Sequence, residues 1–492
     1  MNVKTVNNNL ILLILAFFSI TAFAQSAGVI DLNNLENYAN QPVPNYINKD
    51  NTPPNNQISD AEATLGRVLF YDKKISVNNT IACASCHQQA FAFSDTAMAS
   101  TGVNGTTGRH SMRLINARFA NEAKFFWDER AASLEAQTTM PIQDHAEMGF
   151  SGENGDPVLD SLLTKLMNID YYNDLFTFAY GDSIVTEARM QRAIAQFIRS
   201  IQSFDSKYDA GRSQVPNDPA PFPNFTLQEN QGKQLFLAPP VFDPNGNRIA
   251  GGAGCAGCHA PPEFDIDPNT RNNGEVAKIG GGTDFTNTRT PSLRDMADEN
   301  GSVNGGMMHN ASKNSLLAVV NHYNQIQIVA GNNLIDPRLT PNGNPQNLNL
   351  SEQEKQQLVA FMRTLTGSDV YSNPKWSNPF DSDGNLTVIL PNITAIDPVS
   401  DQLPSQIELA QNYPNPFNPT TTIRYAIPES APVKLTVFDV RGKIVAELVN
   451  AFQNAGEYET VFDADFLASG IYFYRIQAGS SVSTVKKMML VK

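Results

Sequence analysis

Residues 81–90 read IACASCHQQA and residues 254–263 read GCAGCHAPPE. Each stretch holds two cysteines three apart with a histidine directly behind: Cys83, Cys86 and His87 in the first, Cys255, Cys258 and His259 in the second. These are the only four cysteines of the chain. A disulfide framework is open to an exported protein, but it explains neither the histidine after each pair nor the confinement of every cysteine to CxxC. Four cysteines can also make a tetrahedral zinc site, but the two pairs are much farther apart in sequence than in a zinc ribbon. Covalent haem attachment accounts for every feature: two thioethers hold the porphyrin and the adjacent imidazole reaches the iron from one face. The expectation is two covalently bound c-type haems, with His87 and His259 as the ligands to the first and second irons.

The cassettes lie inside a duplicated frame. Ser59 and Glu62 precede the first with capping-box spacing, and Thr226 and Glu229 precede the second. Gly66-Arg67-x-Leu69-Phe70 matches Gly232-Lys233-x-Leu235-Phe236. Each half then ends in an amphipathic stretch. In the first it is Ile194, Phe197, Ile198 and Ile201; in the second it is Leu358, Phe361, Met362 and Leu365, after a Ser351/Glu354 box and before Gly367. Each unit therefore reads as helix, cassette, long loops, helix.

The 492 residues carry a net charge of −14, which argues against nucleic acid as a partner. Residues 1–24 read as a secretory signal peptide: Lys4, an apolar run from Leu10 to Ile20, then Ala22-Phe23-Ala24. The apolar run is too short to span a bilayer. Residues 25–55 are Asn/Pro-rich and expected to be extended, residues 205–225 read as an inter-unit linker, and residues 381–404 as a second one. Beyond them, alternating Val433, Leu435 and Val437 before a turn at Arg441-Gly442, then SGIYFYRIQAG and STVKKMMLVK, predict strands. The expected fold is mainly α, with two cytochrome c-like haem domains in tandem, 56–210 and 211–380, followed by a small all-β sandwich at 405–492.

The tail resembles the type A C-terminal sorting domain of the type IX secretion system, through NYPNPFNPTTTIRY, VFDVRGKIV, SGIYFYRI and KKMMLVK. That resemblance implies contact with the type IX machinery and export to the cell surface or medium; without the tail, the signal peptide alone would leave the protein in the periplasm.

The segment TGRHSMRLINARFANEAKFFWDERAASLEAQTTMPIQDHAEMGF resembles the bacterial dihaem cytochrome c peroxidase / MauG family over roughly residues 55–380. The family motif FWDGR…Q…P…EM is met by Phe126, Trp127, Asp128, Arg130, Gln137, Pro141, Glu147 and Met148, with Glu129 in place of glycine. The resemblance implies three roles. Glu147 would be the acid/base group over the first haem, Gln137 would position bound peroxide, and Trp127 would relay electrons between the haems. A carboxylate suits the proton shuttle that O–O cleavage requires. Conventional members carry a switch histidine before the RNSP-like motif. Gln88 to Arg109 contains none, and Gly102 falls near that place, so the first haem is expected to be open in the oxidised enzyme.

For the second haem, TPSLRN and APYMHDG of the family correspond to Pro291-Ser292-Leu293-Arg294 and Met308-His309. Counting on from Leu316 puts the distal ligand at Tyr323, as in the MauG branch, with Met308 as fallback and His309 and His322 as competitors. A thioether raises a haem's potential, whereas a phenolate is expected to lower it. The family also binds a calcium ion between its haems, but here His110 holds the position of the ligating asparagine and imidazole suits a hard cation poorly; carbonyls near Arg289 and Pro291 remain. His145 is assigned to the surface. The resemblance implies a peroxidase reducing hydrogen peroxide with electrons from a small donor, a cytochrome c or cupredoxin, with a homodimer possible. The alternatives are a MauG-like oxidase acting on a partner protein, or a non-catalytic electron conduit.

Overall fold

Ser59 accepts the amide of Glu62 and starts helix α1 (Asp60–Tyr71), which buries Leu65, Val68, Leu69 and Phe70. Its partner across the core is α5 (Glu187–Ser200). A Cβ on Gly66 would fall 2.0 Å from the carbonyl oxygen of Ala193, so the two helices cross in backbone contact. The second half repeats the crossing: α7 (Leu227–Leu237) meets α9 (Glu352–Arg363), where a Cβ on Gly232 would lie 1.9 Å from Gln357 O. Close approach, not chain flexibility, is what requires glycine at both places.

The computed structural model describes residues 28–391 and 406–492, apart from 122, 123, 299, 465, 466, 480 and 484. The proposed signal peptide and most of the 381–404 linker lie outside the described residues. Around the α1–α5 crossing, α2 (Leu134–Thr139), α3 (Leu159–Met167) and α4 (Asp170–Tyr180) complete the first unit, whose core includes Phe70, Phe93, Tyr172 and Phe197. The second unit holds α6 (Lys207–Arg212), α7, α8 (Leu316–Asn324) and α9 around Tyr208, Phe236, Phe264 and Phe361. Helices frame both units, but most of the chain between them is loop, so "mainly α" overstates the regular structure.

Three segments differ from the sequence reading. The region 205–225 is not a free linker: α6 is capped by Ser206 and places Tyr208 and Phe222 in the second core. Residues 28–56 form a strap across both units. The Tyr38 and Ala39 amides donate to Asp60 at 2.7 and 2.8 Å, while Tyr46 bonds Asp209 at 2.9 Å and Lys49 pairs with Asp265 at 2.5 Å. Finally, residues 370–389 return to the first unit. Val370, Trp376 and Phe380 enter its core, and β1 (Val29–Asp31) pairs in parallel with β2 (Thr387–Ile389).

The C-terminal region has two antiparallel sheets over one buried core that includes Ile423, Leu435, Tyr474 and Met488. One sheet contains Glu408–Leu409, Thr420–Ile427 and Gly456–Asp463; the other centres on Ala431–Phe438 between Ile444–Gln453 and Gly470–Ala478, with Lys486–Leu490 beside the last. Alternate inward residues make the core, as the sequence pattern predicts.

Candidate functional site

Cys83–Cys86 forms one helical turn after Ala82, and His87 follows it with its Nδ1 3.1 Å from the carbonyl of Phe93. That bond fixes the ring and leaves Nε2 for a metal. Phe93 reaches it through a left-handed backbone, φ 57°. None of the four cysteines forms a disulfide. Burial pushes Cys83 and Cys255 up to about 12 and Cys86 and Cys258 up to about 11. The two pairs pack against separate cores, which does not suit one four-cysteine zinc site.

The second cassette opens on a cavity of about 520 Å³ lined by Cys255, Cys258, His259 and Tyr323. Burial lowers His259 to about 4, so its imidazole is neutral, the form that binds a metal. A smaller cavity of about 80 Å³ adjoins His259, Arg113, Trp127, Asn273, Met308 and Tyr323. The guanidinium of Arg113 gives one hydrogen bond to Ser292 O at 3.3 Å, while its buried Nε has no partner. A buried cation of that kind suits an anionic group such as a porphyrin carboxylate. Cysteines outside disulfides, imidazoles whose burial favours the neutral form, a cavity of ligand size at the second cassette and the buried guanidinium of Arg113 together fit c-type haem.

Glu147 lies close enough to the first cassette for its charge to raise both thiols. Its own carboxyl is pushed up to about 7 by burial, with Asp144 adding and Arg130 opposing. The backbone around it is tightly held. Asp144 Oδ1 accepts the amides of Ala146 and Glu147 at 2.8 and 3.0 Å, Val103 N–H donates to Glu147 O at 3.0 Å, and Asn104 N–H to Ala146 O at 3.2 Å. His145, on the surface as expected, is tied to Asp156 at 2.8 Å. A Cβ at Gly102 would meet Ala146 O at 2.0 Å and Glu147 Cα at 2.7 Å. The Gly102 loop thus packs directly on the Glu147 backbone.

Trp127 lies between the units. Its indole donates to His110 O at 2.8 Å, its carbonyl accepts the amides of Thr288 and Arg289, and its ring meets the edge of His309 at 6.4 Å. Arg109 links Asp128 to Asp284 across the same boundary. Glu129 takes φ 56°, a left-handed conformation that costs a side chain roughly 1 kcal/mol and that the family's glycine adopts freely. Its carboxylate accepts a hydrogen bond from Thr288 at 3.2 Å.

A duplication invisible in the residue letters emerges here. Phe126 and Glu129 have φ 72° and 56°, and Met308 and Ala311 have 72° and 54°. Phe125 pairs with Ala131 just as Met307 pairs with Lys313. Ser133 then caps α2 and Ser315 caps α8. Trp127 and His309 are therefore equivalent positions. Counted from the cap serines, the equivalent of Tyr323 in the first unit is Pro141, which carries no metal donor. Gln137 is half-buried on α2.

Of the four candidates for the second distal ligand, Tyr323 shares the main cavity with the cassette, and Met308 borders the smaller one. His309 is buried, with Nδ1 accepting from Asn287 at 2.8 Å, and His322 donates to the carbonyl of Asn273 at 3.0 Å. The His110 ring is committed to Ala97 O at 2.9 Å, and no group of three or more His, Cys, Asp or Glu among the described residues could hold a metal ion. Sequence reasoning missed Arg113, one of three arginines between 109 and 118 with nothing local to single it out, and Asn273, for which the sequence has no signal.

The comparisons agree with this geometry. Residues 60–214 match the family described as di-haem cytochrome c peroxidase, and residues 411–492 match the secretion system C-terminal sorting domain. The haem-bearing region thus has MauG proteins and cytochrome c peroxidases among its homologues. The methylamine utilization protein MauG of Methylophilus methylotrophus is 29% identical over 327 residues, 64% of this chain and 85% of its own. The cytochrome c551 peroxidase of Nitrosomonas europaea is 26% identical, over 71% of this chain and 89% of its own. A MauG-like protein associated with microbial copper homeostasis superposes with a TM-score of 0.52 at 26% identity, covering 69% of this chain and 99% of that one. These homologues support an oxidoreductase, the di-haem family model implies two c-type haems, and the tail matches a sorting domain of the kind that directs type IX export to the cell surface.

Proposed function

We propose that the protein is a surface-exported peroxidase that reduces hydrogen peroxide to water with electrons from a small donor such as a cytochrome c or cupredoxin, using two cytochrome c-like haem domains in tandem. Cys83, Cys86 and His87 would hold the first haem, and Cys255, Cys258, His259 and Tyr323 the second. Bound haem supplies the redox chemistry. Glu147 takes a proton from peroxide at its carboxylate and returns it to the departing oxygen, Gln137 orients the substrate, and Trp127 carries electrons between the units. The observation that carries this reading is the carboxyl of Glu147, raised to about 7 by burial and fixed beside the first cassette by Asp144 and the Gly102 loop. A general acid/base works best with a pKa near the operating pH.

The test is peroxide-dependent oxidation of a reduced cytochrome c by the purified holoprotein. Glu147→Gln should abolish turnover with both haems attached; undiminished turnover would remove Glu147 from the mechanism. Spin-resonance spectra of the ferric protein should show one high-spin haem, and two low-spin haems with none high-spin would oppose the open first site.

A MauG-like role, oxidation of a partner protein, is the second reading. Tyr323 in the second cavity favours it. Peroxide-dependent cross-linking to a protein substrate, with no steady cytochrome turnover, would select it.

A further inference from the structure

The side-chain amide of Asn273 touches the two candidate ligands that border the cavities beside the second cassette. Its Nδ2 donates to the Tyr323 hydroxyl oxygen at 3.2 Å and lies 3.3 Å from Met308 Sδ. An amide nitrogen has one hydrogen for each contact. The orientation is fixed, because Asn273 Oδ1 accepts the Glu275 amide at 3.1 Å and so turns the nitrogen toward the tyrosine and methionine. The backbone is fixed too. His322 Nε2 donates to Asn273 O at 3.0 Å, and the fully buried Asn272 next to it bonds Asn287, Asn332, Gly274 and the backbone of Leu334 and Asp336. His322 neighbours Tyr323 on α8, so the helix carrying the phenol and the loop carrying the amide are clamped together.

We propose that Asn273 is a positioning residue that selects oxygen over sulfur at the second haem. Its hydrogen bond to the phenol oxygen stabilises negative charge on that atom, and its other hydrogen engages the thioether lone pair through which Met308 would otherwise bind. Met308 is held in this contact by a left-handed backbone, φ 72°. The same amide thus favours one ligand and sequesters the other, holding the second haem at the low potential that an anionic oxygen ligand gives. The inference rests on the reading that Tyr323 ligates the second haem.

The experiment compares ferric optical and spin-resonance spectra and midpoint potentials of the holoprotein with Asn273→Leu, Met308→Leu, Tyr323→Phe and the Asn273→Leu/Met308→Leu double variant. Asn273→Leu should raise the potential of the second haem and introduce a thioether-to-iron charge-transfer band, and the double variant should lose that band. Asn273→Gln, which keeps an amide donor, should recover part of the wild-type potential. If Tyr323→Phe changes no spectrum, the ligand assignment itself fails. If Tyr323→Phe does change it while Asn273→Leu leaves potential and spectra at wild-type values, the ligand stands and the selecting role of Asn273 is overturned.

Discussion

Replacing Gly102 with alanine adds one carbon at the most crowded backbone contact of the first site. That carbon would lie 2.0 Å from Ala146 O and 2.7 Å from Glu147 Cα. Both are main-chain atoms, so no side-chain rotation relieves the overlap, and the two loop segments must part by about 1 Å or more to reach ordinary contact. Parting them breaks Val103 N–H to Glu147 O and Asn104 N–H to Ala146 O. Two hydrogen bonds at about 0.5–1.5 kcal/mol each, with overpacking strain of about 1–3 kcal/mol, give a loss of about 2–6 kcal/mol. A displacement of about 1 Å at a proton-transferring group also costs on the order of a hundredfold in rate. The assay is cytochrome turnover with peroxide beside a urea unfolding curve. Gly108→Ala is the control, because a Cβ there meets nothing within 4 Å. Gly102→Ala should lose both stability and turnover, and Gly108→Ala neither. If the two variants behave alike, the loop does not position Glu147. By the same geometry Gly102→His should not install a working switch ligand, because its first side-chain carbon already collides.

The Glu147 carboxyl titrates near 7 rather than 4.5. The folded protein holds this proton more tightly than the unfolded chain, so its stabilising contribution is full below about pH 4.5 and is lost as pH rises through 7. Glu147→Gln should flatten that part of the stability–pH curve, and the rise in turnover around pH 7 should vanish; persistence of either in the variant would reassign the titration. Arg294 is fully buried and grips Asp209 at 2.8 and 3.0 Å, so Arg294→Met should cost about 3–5 kcal/mol by stranding the carboxylate. Arg294→Met/Asp209→Leu should regain much of that on denaturant unfolding, and an additive loss would contradict the pairing. The C-terminal region has its own core, so removing residues 406–492 should abolish surface export while leaving haem spectra and turnover unchanged, as fractionation and spectroscopy would report.

Much of the frame was readable one residue at a time. Thr226/Glu229 and Ser351/Glu354 close full capping boxes. At Ser59 only half forms, because Glu62 turns to Tyr180, Arg192 and Gln196 on distant segments. The cassettes stand out in the letters because their chemistry demands particular side chains, and Glu147, Trp127 and Tyr323 came from the family resemblance, whereas features that depend on backbone shape were illegible. The turn at 126–131 and its copy at 307–313 share dihedral angles and pairing but almost no residue identities.

The sequence by itself determined the cofactor class, the duplicated helix–cassette–helix order and the β-rich tail, because CxxCH, cap spacing and strand alternation are local requirements that show in consecutive letters. Only the tertiary structure decided that the N-terminal segment straps both units, that residues 370–389 return to the first core, that Gly102 lies on the Glu147 backbone, and that one asparagine reaches both Tyr323 and Met308. Those contacts join residues far apart in the chain and depend on where folding brings each backbone, which no short stretch of sequence records.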